Sequence, residues 1–115
     1  MKEKAEVVVV GGGVVGCSVL YHLTKAGCTD VVLLERKELT AGSTWHAAGG
    51  MHTLNGDPNV AALQRYTIKL YEELEELTGV DCGIHLTGEL MLADNEDRLD
   101  WLKMAHARGR YMGME

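Results

Sequence analysis

Gly11, Gly13 and Gly16 stand in the spacing G-x-G-x-x-G, and Glu35 follows about twenty residues later. Residues of these types can hold a pyrophosphate. Gly11 suits a tight turn, Gly13 lets a phosphate pair approach the backbone, and Gly16 lets a helix lie close to a strand. Val14 and Val15 open that helix, whose first N–H groups and positive dipole end face an anion. Glu35 can accept hydrogen bonds from an adenosine ribose. The alternative is a glycine-rich turn that only packs a helix on a sheet. The context favours a dinucleotide site without choosing between a flavin and a nicotinamide, since both use ribose and pyrophosphate in the same way.

A second group follows in the run Ala41-Gly42-Ser43-Thr44-Trp45-His46-Ala47-Ala48-Gly49-Gly50. Its small residues permit close backbone approach to a flat ring system. Ser43 and Thr44 could donate to phosphate oxygens. A neutral His46 imidazole is a candidate nucleophile toward the electron-poor methyl on a flavin's benzene ring. The commoner reading of a loop histidine is a partly exposed side chain without such a role.

The elements that must position these groups are short. Val7-Val8-Val9-Val10 and Val31-Val32-Leu33-Leu34 are continuous apolar runs, the pattern of parallel strands covered on both faces. Between them the spacing predicts a helix over 14–26, ended by Gly27 as a left-handed cap. Strand, helix and strand make one βαβ unit. The loop after the second strand then lies at the carboxyl edge of the sheet, where a dinucleotide binds. Residues 40–56 read as a long loop.

Asp57-Pro58 supplies an N-cap and a first-position proline. Val60, Leu63, Leu70, Leu74 and Leu77 mark one apolar helical stripe ending near Gly79. Glu72, Glu73, Glu75 and Glu76 read as a solvated face. Ile84-His85-Leu86 and residues 89–93 flank Thr87-Gly88, which predicts a tight hairpin. Asp94 or Asn95 caps a last helix to about Met112, with Leu99, Leu102 and Ala105 inward. His85 and Glu89 near the hairpin, His22 on the first helix and His106 on the last read as structural or solvated residues.

Composition narrows the class. The chain has 115 residues, 46% of them hydrophobic, and a formal charge of −6. That is a globular composition with no basic stripe, which excludes nucleic acid and anionic membrane as expected partners. No run is long enough to span a bilayer, and Val7-Val8-Val9-Val10, cut off by glycines, is too short for a signal-peptide core. The three cysteines, Cys17, Cys28 and Cys82, lack metal-like spacing and read as reduced thiols. No metal is expected, and the cytoplasm is the expected compartment.

The expected fold class is α/β: a Rossmann-like dinucleotide-binding domain with a parallel βαβ start, incomplete, plus a small hairpin and two further helices. Residues 1–115 form its amino-terminal part, with the βαβ unit and the loop after it at 1–56 and the helix, hairpin and helix at 57–115. Two strands and a hairpin cannot cover the faces of a parallel pair. The Met114-Glu115 end has no finished tail, and the expectation is an inactive fragment of a longer protein.

The run from Val7 to Gly16, the spacing to Glu35-Arg36, and Leu39-Thr40 leading into Ser43-Thr44-Trp45-His46-Ala47-Ala48-Gly49 carry a resemblance to a known family. The chain resembles the start of the dimethylglycine and sarcosine dehydrogenases, FAD-dependent oxidoreductases of the D-amino-acid-oxidase-like superfamily. The likeness covers essentially the whole chain, including Leu70-Tyr71-Glu72-Glu73-Leu74-Glu75 and Thr87-Gly88. One departure is Gly50, where leucine often stands.

The resemblance implies FAD covalently attached to His46, with Val14, Val15, Glu35, Arg36 and the backbone of 42–49 lining it. It also implies oxidation of an N-methyl group on a small amine acid. Hydride leaves the C–H beside nitrogen, and the resulting iminium hydrolyses to formaldehyde or passes to tetrahydrofolate, bound in a carboxyl-terminal region outside these residues. The electron acceptor is left open. Two other readings stand beside it: another amine or amino-acid oxidase of the superfamily, and a non-catalytic flavin-fold regulatory subunit.

Overall fold

A computed structural model describes residues 3–114; the readings attached to Met1, Lys2 and Glu115 lie outside them. Two compact units divide the chain between Gly49 and Gly50. In the first, β1 (Val7–Val10), α1 (Val14–Lys25) and β2 (Val31–Leu34) form the expected βαβ unit. The strands pair parallel, with Val7 beside Val31 and Val10 beside Leu34. Four β-branched valines stay extended because their stiff side chains suit a pleated surface better than a helix. Gly27, at φ 93°, ends α1 as expected, its N–H donating to the Thr24 carbonyl at 3.0 Å.

Among the described residues, only one face of this sheet is covered. Helix α1 lays Gly16, Cys17, Leu20 and Leu23 against it as half-buried positions, while Val8 and Val10 on the other face are 51% and 81% exposed. The expectation of strands covered on both faces is therefore corrected within this unit: one helix can cover one face. After β2 the chain is not all loop, since a single turn, α2 (Ser43–His46), interrupts it.

In the second unit α3 (Pro58–Thr78) begins and ends where the sequence indicates. The Asp57 carboxylate accepts the Asn59 and Val60 N–H groups at 2.7 and 3.1 Å, Pro58 takes the first turn, and Gly79 closes the helix at φ 68°. Asn95 caps α4 (Glu96–Tyr111), accepting the Arg98 N–H at 2.8 Å. Acidic residues open α4 and arginines close it, both favourable to its dipole. Ala61, Leu70 and Ala105 are the buried apolar side chains among the described residues.

Two expectations fail in this unit. No strand forms between α3 and α4, so the hairpin at Thr87-Gly88 is absent: Leu86, Leu90 and Leu92 are strongly exposed, and the local bond is Thr87 N–H to the His85 carbonyl at 2.9 Å. An isolated two-stranded hairpin is marginal without a third strand or a packing face. Leu99 is exposed and not inward, and Val60, Leu63 and Leu77 of the α3 stripe are exposed as well. No helix is long and apolar enough to cross a membrane among the described residues.

Candidate functional site

The glycine turn joins β1 to α1, and each glycine has a separate reason to be there. Gly11 sits at φ 104°, with its N–H on the Leu34 carbonyl at 2.8 Å. A Cβ on Gly16 would lie 1.8 Å from the Gly11 carbonyl oxygen, so only glycine lets α1 start this close to the strand. A Cβ on Gly13 would come within 3.0 Å of the Thr44 hydroxyl oxygen.

Gly12 is a variable position of the motif, yet it is buried at the centre of the arrangement. Its N–H donates to Glu35 Oε2 at 2.7 Å and its carbonyl accepts the Thr40 N–H at 2.9 Å. Three glycines in a row were the available signal. A Cβ on Gly12 would lie 2.6 Å from Leu39 Cδ2 and 3.0 Å from Glu35 Cβ.

Glu35 ends β2 beside this turn. Its second oxygen accepts the Lys37 N–H at 2.9 Å. The bond from Gly12, then that from Lys37, hold its carboxyl below the ordinary range, because both stabilise the charged form. A carboxylate has about four lone-pair sites, so acceptor capacity remains for a sugar hydroxyl.

The loop after β2 folds back onto the turn. Thr44 Oγ1 accepts the Val14 N–H at 2.9 Å, across 30 residues of sequence. Sequence reasoning placed Thr44 as a donor to phosphate; here it is an acceptor at the start of α1, with its own hydroxyl hydrogen left to donate. Thr40 is the sole non-glycine residue at positive φ among the described residues, at 66°, where a β-branched side chain is strained. Its carbonyl accepts the Trp45 N–H at 3.1 Å.

Within α2 the His46 ring nitrogen Nδ1 lies 2.9 Å from the Gly42 carbonyl oxygen. A carbonyl only accepts, so Nδ1 carries the hydrogen and Nε2 of the neutral ring keeps a lone pair. The structure thus gathers Gly11, Gly13, Val14, Val15, Gly16, Glu35 and Thr44 around one turn, with His46 on the loop bonded to it. Arg36, Gly42, Ser43, Ala47, Ala48 and Gly49 are exposed. Trp45 is 78% exposed.

These residues fit a dinucleotide. The N–H groups of Gly13 and Val15 take no partner among the described residues, at the end of a helix whose N-cap has no side chain. Two donors, a positive dipole end and a nearby carboxylate with spare acceptors match a pyrophosphate followed by a ribose. No group of three or more potential metal ligands occurs among the described residues.

Comparison with known proteins gives the family. The family model described as FAD dependent oxidoreductase, DAO, matches residues 6–115. The chain is 48% identical over 114 residues to the mitochondrial dimethylglycine dehydrogenase of Rattus norvegicus, covering 99% of this chain and 13% of that protein. It is 45% identical over 116 residues to the mitochondrial sarcosine dehydrogenase of Homo sapiens, with 100% and 13% covered. It is 42% identical over 114 residues to the mitochondrial pyruvate dehydrogenase phosphatase regulatory subunit of Mus musculus, with 99% and 13% covered. The chain spans about 13% of the length of these curated relatives. With the family model matched across nearly all of its length, the chain belongs to the DAO family of FAD-dependent oxidoreductases.

Proposed function

We propose that these residues are the cofactor-holding start of an enzyme that oxidises an N-methyl amine acid such as dimethylglycine or sarcosine, with His46 as the covalent tether of its FAD. The observation that carries the tether is the His46 Nδ1 bond to the Gly42 carbonyl at 2.9 Å, which leaves Nε2 as the nucleophilic nitrogen. The substrate class rests on the identity to a dimethylglycine and a sarcosine dehydrogenase. When bound, FAD supplies the acceptor for a hydride from the C–H beside the substrate nitrogen.

This chain's own residues would hold that cofactor. Gly13 and Val15 N–H groups donate to its phosphates, and Glu35 accepts from its ribose. His46 Nε2 would hold the flavin through a carbon–nitrogen bond to its ring methyl, the displaced proton going to solvent and the electron pair to dioxygen.

Acid precipitation of the full-length protein tests the tether. Yellow colour should stay with the pellet and leave it in His46→Ala; colour released wholly from the wild type would end this reading. Bleaching by dimethylglycine or sarcosine under anaerobic conditions tests the oxidation. Product analysis with and without tetrahydrofolate separates free formaldehyde from one-carbon transfer. Comparing dioxygen with an artificial acceptor separates an oxidase from a dehydrogenase.

A second reading, a non-catalytic regulatory subunit on the same flavin fold, has support in the 42% identity to a phosphatase regulatory subunit. Protein that binds FAD but never bleaches with any N-methyl amine would favour it. For the compartment, the cytoplasm is our proposal, supported by three free cysteines. The mammalian relatives carry the word mitochondrial in their names, and fractionation of cells into an organelle pool would overturn it.

A further inference from the structure

Helix α1 has no cap of its own, because its N-cap residue is Gly13. An outside acceptor is needed for its first-turn donors, and the one present among the described residues is the hydroxyl of Thr44, reaching Val14 N–H at 2.9 Å. Thr44 is also the half-buried residue in a run, 40–50, whose other members are exposed. It is where that loop is anchored. A second tie, Thr40 N–H to the Gly12 carbonyl, holds the loop at its entrance.

Thr44 and His46 stand two residues apart. Both lie in the single turn of α2; Trp45 N–H bonds back to the Thr40 carbonyl, and His46 Nδ1 bonds back to Gly42. A shift of the anchor therefore shifts the imidazole. We propose that Thr44 is a positioning residue for flavin attachment: its bond to Val14 sets where His46 stands relative to the dinucleotide turn. This rests on the reading of His46 as the tether. It concerns the rate of attachment, which is sensitive to placement, since a misplacement of about 1 Å can cost on the order of a hundredfold.

Two substitutions remove the bond from opposite sides. Thr44→Val keeps the shape and loses the acceptor. Val14→Pro loses the donor, at a first helical position where proline is tolerated and after a residue, Gly13, already in the extended conformation proline requires. The measurement is the time course of acid-stable flavin fluorescence after saturating FAD is added to the full-length apoprotein. Each substitution should slow attachment by about tenfold to a hundredfold, the double variant should be no slower than either, and Thr44→Ser should restore the wild-type rate.

A Thr44→Val protein that attaches flavin at the wild-type rate overturns the proposal. So does Thr44→Ser as slow as Thr44→Val, or Val14→Pro at full speed beside a slow Thr44→Val. Failure of Thr44→Val to take up FAD at any concentration overturns it too, since Thr44 would then be a cofactor contact. Wild-type protein that binds FAD but yields no acid-stable flavin sinks the tether reading itself, and this inference with it.

Discussion

Glu35 accepts backbone N–H groups from Gly12 and Lys37, and those bonds lower its folded-state pKa. A lowered carboxylate pKa gives stability that is fully present above the unfolded value, about 4.3 for glutamate, and is lost as pH falls through the lower folded value. Thermal melts between pH 6 and pH 3 should therefore show an acid-side loss that Glu35→Gln flattens. An unchanged acid limb in the variant would remove Glu35 from the account. At Thr40 the strain is steric. Asparagine tolerates the left-handed region better than a β-branched residue, where the cost is about 1–2 kcal/mol. Thr40→Asn should raise stability by roughly 0.5–1 kcal/mol, read as an upward shift in melting temperature, with both Thr40 backbone bonds kept. Glu35 was legible from its spacing after the glycines. Thr44 on Val14 was not, because a bond across 30 residues leaves no local pattern.

Among the elements, α1 depends on Gly16 and α3 on Asp57. Gly16→Ala would force a Cβ onto the Gly11 carbonyl and should destabilise by about 2–3 kcal/mol, measured by denaturant unfolding, with FAD uptake lost in parallel. Asp57→Ala removes two capping bonds and should cost about 1 kcal/mol, with FAD uptake retained. These elements were legible because their ends carry residues with one conformational use: Asp57-Pro58 to start α3, Gly27 and Gly79 to stop α1 and α3. The single turn of α2 was hidden in a glycine-rich run with no periodicity to read. The segment around Thr87-Gly88 misled for the opposite reason. Its alternation and turn residues suit a hairpin, but a ladder needs a surface to pack on, and Leu86, Leu90 and Leu92 find none in their unit.

At the scale of the molecule, the bare face of the sheet decides behaviour. Val8, Val10 and Leu34 are more than half exposed, an arrangement foreign to parallel sheets, which are covered on both sides. The 115-residue polypeptide alone should bind a hydrophobic dye and melt broadly; a sharp cooperative melt without dye binding would contradict this. The division between the two units has a different consequence. Residues 48–52 make no hydrogen bond among the described residues and are all exposed, the condition that proteases exploit. The glycine turn, Glu35 and His46 all precede that stretch. Limited digestion there would leave the glycine turn, Glu35 and the tether on one peptide, so the yellow colour of a nicked, denatured protein should travel in a gel with the piece that carries His46 and not with the piece that follows the cut.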